Sequence, residues 1–351
     1  MSPFESPERD RKAEHITLAL DHRMQLAANF FDRFHFDHQA LPEIDMAAID
    51  LTTSFLGYEL AAPLLISCMT GGTADASRIN RNLASAAQSA GIAIGVGSQR
   101  KAIEEPGQAE TFQIRAVAPD VPILANLGAV QLNYGFGLDE CRRAVEMIEA
   151  DALVLHLNPL QEALQPEGQT DFSGLVDKIA RIVAELEVPV IVKEIGCGLS
   201  LEAARRLQAV GVEILDTAGL GGTSWARIEA SRANEADLGE IFASWGVATP
   251  RSIRALRGLG GLTIIGSGGV RNGLDASKAI AMGADLVGMA QLFLEGADES
   301  AAKAAERVAR VVRELRIAMF CVGAASIAGL QGVPLVAVAG DGRTQASGES
   351  L

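Results

Sequence analysis

His156, Asn158, Gln161 and Glu162 follow one another closely along the chain, at and just after an apolar run, Ala152 to Leu157, that reads as a β-strand. Alternation along a strand sends His156 and Asn158 to the same face, and Gln161 and Glu162 follow on the loop that Pro159 turns. A histidine beside two carboxamides and a carboxylate suits proton handling and the anchoring of a polar substrate. Glu162 is the best carboxylate for a divalent metal, because Mg2+ commonly takes one or two protein carboxylates and fills its shell with substrate phosphate oxygens. Other stretches suggest phosphate. Gly266-Ser267-Gly268-Gly269-Val270-Arg271 and Gly288-Met289-Ala290 put small residues where backbone N–H groups can approach an anion. Lys193 ends a further apolar run and can neutralise an anionic ring edge; with the glycine loops it points to a phosphorylated cofactor, and flavin mononucleotide (FMN) fits. Arg100 and the Arg11-Lys12 pair offer cations for a substrate diphosphate.

Positioning such groups requires elements that end together. From residue 62 onward, short β-branched or apolar runs alternate with segments of helical periodicity. The runs are Pro63 to Met69, Ile92 to Val96, Pro122 to Leu127, Ala152 to Leu157, Val188 to Lys193, Val212 to Asp216, Thr263 to Ser267 and Leu286 to Met289. Between them, Ser77 to Ala90, Leu138 to Ile148, Leu175 to Glu187, Ser200 to Ala209, Thr249 to Leu256 and Asp275 to Met282 read as helices, with Ser200 as a cap and Pro250 in a first turn. The fold class is therefore α/β: a (β/α)8 TIM barrel with an N-terminal extension. A doubly wound sheet is the alternative, and it expects an early G-x-G-x-x-G turn that the chain lacks. In a barrel the strand ends carry the chemistry, and here they are polar: Met69-Thr70-Gly71-Gly72, Gly97-Ser98-Gln99-Arg100, Asn126, His156, Lys193-Glu194 and Asp216-Thr217.

Three segments flank or interrupt the repeat. Residues 1–61 form the extension, which reads from composition as a cap over the bottom of the barrel or a subunit contact. Residues 62–339 form the barrel, and within them 218–247 are too long for a routine loop, so a lid or binding loop is expected there. Residues 340–351 are polar and rich in Gly and Ser, and disorder is expected.

The 351 residues carry 30 Lys+Arg against 44 Asp+Glu, a formal charge of -14. That balance argues against nucleic acid, which needs a basic footprint. The four cysteines are far apart and form no C-x-x-C pair, which disfavours a zinc ribbon or a disulfide framework. The N-terminus has no apolar signal core and nothing reads as a membrane span, so a soluble, cytoplasmic protein without membrane association is expected.

The chain resembles the type 2 isopentenyl-diphosphate isomerases, which are flavin-dependent barrels. The resemblance rests on Arg11-Lys12-Ala13-Glu14-His15, Met69-Thr70-Gly71-Gly72, Gly97-Ser98-Gln99-Arg100, the run from His156 to Glu162, Gly221-Gly222-Thr223-Ser224-Trp225 and Gly266 to Arg271, in family order from about Arg11 to Gly332. It implies flavin contacts from Met69, Thr70, Gly71, Ser98, Asn126, Lys193, Thr223, Gly268, Gly269 and Ala290. It places the isoprenoid diphosphate on Arg11, Lys12, Ser98, Arg100, His156 and Gln161, with Gln99 and Trp225 beside it and Glu162 on Mg2+. It further implies a homo-oligomer, a tetramer or octamer, with NADPH as reductant.

The implied reaction adds a proton to isopentenyl diphosphate and removes another, giving dimethylallyl diphosphate with no net redox change. Reduced FMN is then expected to be the acid-base group, while His156 and Gln161 act as the catalytic side chains that place substrate and move protons. A flavin oxidoreductase is the first rival, yet all five histidines fall at or before His156, so none can serve as a base near strands six to eight. A non-catalytic scaffold is the second, and it has no use for so many polar strand ends.

Overall fold

The computed structural model describes residues 11–27 and 29–338, with side chains from residue 14 onward. Residues 1–10 and the tail 340–351, with the expectation of disorder made for it, lie outside the described residues. Eight parallel strands close into a barrel: β1 (Leu64–Ile66), β2 (Ala93–Gly95), β3 (Ile123–Gly128), β4 (Ala152–Leu157), β5 (Val190–Glu194), β6 (Ile214–Asp216), β7 (Thr263–Ser267) and β8 (Leu286–Met289). Each pairs with the next in sequence, and β8 returns to β1 through Val287 beside Leu64. The expected TIM barrel is the observed one.

Period-two alternation turns one residue per strand inward to form an apolar layer: Leu65, Ala93, Leu124, Val154, Ile191, Ile214, Ile265 and Leu286. Two residues further along every strand, the inward positions are Ser67, Gly95, Asn126, His156, Lys193, Asp216, Ser267 and Gly288. The barrel interior thus changes from hydrocarbon to polar groups within one strand repeat.

Helices cover the outside, and their ends follow from local chemistry. Helix α1 spans Arg11–Leu20, and α2 (Ala74–Ala90) starts three residues before the expected Ser77, because Thr73 accepts a hydrogen bond from the Ala76 N–H at 3.1 Å. It stops at Gly91, whose φ of +61° is open to glycine. Next come α3 (Leu138–Met147), α4 (Pro159–Leu164), α5 (Leu175–Glu185) and α6 (Leu201–Ala209), the last capped by Ser200 as expected. Residues 218–247 contain two helices, α7 (Trp225–Arg232) and α8 (Ala236–Phe242), so half of this segment is helix. After them come α9 (Thr249–Arg257), α10 (Gly273–Ala281), α11 (Gln291–Glu299) and α12 (Ala301–Cys321). Helices α11 and α12 were not anticipated. The apolar face of α12, Ala304, Val308, Val311, Leu315 and Met319, is spaced for a helix but sits in a run of alternating charges.

The extension does two jobs. The hairpin of Thr53–Phe55 and Tyr58–Leu60 plugs the amino end of the barrel, where Phe55 and Leu60 join the inner apolar layer. Tyr58 donates to Asp151 Oδ1 at 2.8 Å beside the start of β4. This part fits the expectation of a bottom cap. Residues 15–27 and Asn29 do not, since they cross the opposite, carboxyl face. Phe55→Ala should cost about 3–5 kcal/mol, as for other buried aromatic truncations, read as a lower urea midpoint; a loss under about 1 kcal/mol would show that the hairpin is no part of the core.

Candidate active site

A cavity of about 590 Å3 opens at the carboxyl ends of the strands, within the range usual for small-molecule sites. Its floor is the polar layer. Lys193 is buried and its Nζ donates to the Glu194 backbone oxygen at 2.5 Å. The Asp216 carboxylate accepts from Ser267 Oγ and from the Ala218 N–H, and burial pushes its pKa up against the pull of Lys193 and these hydrogen bonds. Burial first, and the neighbouring Lys193 charge second, drive His156 down to about 3, so its imidazole is neutral at physiological pH. Its Nδ1 lies 2.9 Å from Asn126 Oδ1, a carbonyl oxygen that can only accept, so Nδ1 carries the proton and Nε2 is the acceptor. Burial also raises the Cys68 thiol to about 11, which leaves that cysteine protonated beneath the site.

Gln99 is not part of the cavity. It is completely buried; its Nε2 donates to the Ala144 oxygen at 2.8 Å and its Oε1 accepts from the Asn126 N–H at 2.9 Å. The expected substrate contact is therefore a brace that sets Asn126, and through it His156. Both ends of the carboxamide are spent, so none is left for a ligand. The expected flavin residues, Met69, Thr70, Gly71, Ser98, Asn126, Lys193, Thr223, Gly268, Gly269 and Ala290, all line the cavity.

Gly268 and Gly269 lie in the left-handed region, at φ +102° and +69°, and a Cβ on either would run into the backbone of Gly219 or Gly221. Their first role is to let the loops after β6 and β7 pack backbone against backbone. Arg271, from the same motif, is held by Asp32 and Asp275. The better anion donor is α11: Ala290, Gln291 and Leu292 line the cavity at its N-terminus, and no side chain caps it. Ser67 Oγ and Gln291 Nε2 are buried in this wall without a hydrogen-bond partner. Polar atoms so stranded, beside a helix N-terminus and a buried lysine, fit a phosphorylated aromatic cofactor.

The opposite wall holds the strand-four residues, on the short helix α4 rather than the expected loop, because Pro159 takes a first-turn position that needs no N–H. Asn158 Nδ2 donates to Gln161 Oε1 at 3.0 Å and to Glu162 Oε1 at 2.8 Å. Glu162 Oε2 accepts from Gln165 Nε2 and from the Gln169 N–H, each at 2.6 Å. Asn158 Oδ1 is buried with no partner. Among the described residues no three His, Cys, Asp or Glu side chains group to hold a metal. The contacts of Glu162 are all with N–H donors, so a hard cation here would replace some of them at the carboxylate and draw its remaining ligands from substrate.

Arg100 lines the cavity, held by Glu104 at 2.8 Å and Gln169 at 3.2 Å. The side chains of Arg11 and Lys12 lie outside the described residues, but the helix they begin brings His15, Ile16 and Ala19 to the mouth. Trp225 lines the mouth as expected, with the His15 ring edge-on to it at 5.3 Å. Sequence reasoning gave no role to Glu229, which is fully buried and accepts from Gln161 Nε2 at 2.7 Å. His15, Gln161 and Arg232 hold its pKa below the usual value despite burial. Only the helical spacing of Glu229 and Arg232 hinted at the pair.

Comparison with known proteins agrees with this geometry. The model of the FMN-dependent dehydrogenase family matches residues 13–124 and 158–335. An isopentenyl-diphosphate delta-isomerase of Nostoc sp. is 50% identical over 323 residues, covering 90% of this chain and 92% of its own. That of Stutzerimonas stutzeri is 49% identical, covering 92% and 95%. The chain belongs to the isopentenyl-diphosphate delta-isomerase family. This family member shares its fold with a mandelate oxidase bearing an FMN monooxide adduct, at a TM-score of 0.62 and 17% identity over 93% of this chain and 92% of that one. A mandelate oxidase with a hydroxylated FMN adduct gives 0.64 at 16% identity over 94% and 99%. Among the described residues no helix is long and apolar enough to cross a membrane.

The depressed His156 pKa fixes a sign. Between about pH 6.5 and about 3 the unfolded chain binds a proton at His156 that the folded chain does not, so this residue makes stability fall as pH falls through that window. In His156→Asn the loss of melting temperature between pH 7 and pH 5 should be smaller than in the parent. Equal losses would mean that His156 is protonated in the fold.

Proposed function

We propose that this chain interconverts isopentenyl and dimethylallyl diphosphate, with reduced FMN over the polar floor and Mg2+ shared between Glu162 and the diphosphate. The observation that carries this reading is one cavity with two unlike walls. Over a floor with a buried lysine, one wall has an uncapped helix N-terminus and stranded polar atoms suited to a flavin phosphate and ring; the other holds the Glu162 carboxylate beside Asn158 Oδ1, which has no partner. Family membership supports the same assignment.

Bound reduced FMN would supply an electron-rich ring and an acid-base group close to the alkene. Lys193 would hold its anionic edge, and the wall residues from Met69 to Gly71 with Asn126 would seat the ring. Neutral His156 is too weak an acid to protonate an unactivated alkene, so its part is to orient, with Nδ1 tied to Asn126 and Nε2 left to accept. Gln161 is gripped by Glu229 and Asn158 and would stand beside the substrate carbons. Arg100, Ser98 and the Arg11-Lys12 end of α1 would clamp the diphosphate, so that remote binding energy fixes the small apolar end. Trp225 at the mouth would exclude water from the cationic carbon skeleton. NADPH is the proposed reductant and the cytoplasm the proposed compartment. Exposed Ile241 and Trp245 on and after α8 fit a subunit contact, and a homo-oligomer of four or eight copies is proposed from the family resemblance.

Anaerobic incubation with FMN, NADPH, Mg2+ and isopentenyl diphosphate should give dimethylallyl diphosphate with NADPH needed only in catalytic amount; stoichiometric oxidation would favour an oxidoreductase instead. Glu162→Gln should raise the Mg2+ needed for half-maximal rate at least about tenfold, and an unchanged requirement would remove Glu162 from the metal. Lys193→Ala should weaken FMN retention by about 1.5–3 kcal/mol, the worth of a charge-assisted hydrogen bond, measured by flavin titration; unaltered affinity would exclude Lys193 from the flavin site.

A further inference from the structure

We infer that Arg232 is a clasp, a positioning residue that seats the N-terminal strap over the cavity mouth and aims Glu229 at Gln161 by ion-pairing with Glu14, Glu167 and Glu229 together. The inference deepens the reading above and rests on it for its kinetic consequences, but not for its structural ones.

One guanidinium serves three carboxylates from three parts of the chain. Arg232 Nε lies 3.2 Å from Glu14 on α1, one terminal nitrogen lies 2.6 Å from Glu229 on α7, and the other lies 3.1 Å from Glu167 after α4. Arginine suits this, since its planar fork projects donors in several fixed directions while a lysine ammonium is a single point charge. The side chain is 12% exposed, so these pairs are shielded from solvent more than ordinary surface pairs.

The strap, residues 14–27 with Asn29, is fastened at both its ends. Its late part is tied by the loop after β6: the Leu26 N–H donates to the Gly222 oxygen at 2.9 Å, and Gln25 bonds Thr223. Asn29 Nδ2 donates to the Gly269 oxygen at 2.5 Å. Its early part, the end that carries Arg11 and Lys12, reaches Arg232 through Glu14 and Glu229 through His15, the latter pair 3.0 Å apart. Both contacts end on the same pair of α7 residues, one helical turn apart. Loss of Arg232 would remove the cation that three carboxylates share and set them against one another, which loosens α1 and frees Glu229 from its aim at the same time.

Two variants separate these effects. Glu14→Gln breaks only the strap arm and leaves Glu229 held; Arg232→Met breaks all three. Both are made on a Trp245→Phe background, which leaves Trp225, the ring His15 abuts, as the sole tryptophan. The structural readouts are the Trp225 emission and the rate of tryptic cleavage at Lys12 and Arg23 of the FMN-loaded protein. We expect cleavage at least fivefold faster and an altered emission in both variants, more so in Arg232→Met. In the isomerisation assay Glu14→Gln should raise KM for isopentenyl diphosphate three- to tenfold with kcat within twofold, whereas Arg232→Met should also lower kcat at least tenfold, with Arg232→Lys recovering only part. Unchanged cleavage and emission in a folded Arg232→Met protein would overturn the clasp whatever the activity. So would equal losses of kcat in both variants, because the strap and aim would then not be separable. A parent enzyme that binds FMN but does not isomerise would refute the proposed function and leave the proteolysis and fluorescence to decide the clasp.

Discussion

A change of chemistry within one strand repeat governs the molecule. In a closed barrel every second residue must point inward, and the inner wall has no room to compensate for a slip. Leu65, Leu124, Val154, Ile191 and their counterparts fill the interior with hydrocarbon, and two positions later Ser67, Asn126, His156, Lys193, Asp216 and Ser267 must therefore form the next ring. That ring carries a buried lysine and a buried aspartate because closure leaves them nowhere else to go. Their cost is offset by hydrogen bonds such as Lys193 to the Glu194 oxygen and Asp216 to Ser267. The neutral state of His156 follows from the same burial and from Lys193 beside it.

Above the ring, the site is assembled from parts that have no fixed distance in sequence. The loops after β6 and β7 touch through glycine backbones, and α1, α4 and α7 converge around Glu229. Glu229 joins the strap to the strand-four helix: His15 on one side, Gln161 on the other, Arg232 behind. Such convergence of buried polar groups is costly unless every partner is in place, which favours one closed arrangement of the mouth over many.

The barrel and most strand ends were legible in the sequence because alternation and caps are local. Ala152–Leu157, Thr263–Ser267 and Leu286–Met289 fall where their apolar runs do, and Ser200 caps its helix. Helices α11 and α12 were not legible, because their charged outer faces interrupt the apolar pattern that identifies a helix. Gln99 read as a site residue because it stands between Ser98 and Arg100, which do line the cavity; the backbone there turns its side chain toward Ala144 instead. The strand-four run looked like a loop because Pro159 breaks a strand as readily as it begins a helix.

By itself the sequence determined the barrel, the polar character of its carboxyl end and the family resemblance, since these depend on residue type at short, regular spacing. Tertiary structure alone decided which of those polar residues share a cavity, that His156 is neutral, that Gln99 braces rather than binds, and that the extension plugs one end of the barrel while crossing the other. Burial, ionisation state and ion pairing are set by neighbours far away along the chain, 218 residues apart for Arg232 and Glu14 and 239 for Arg271 and Asp32, and no local pattern records them.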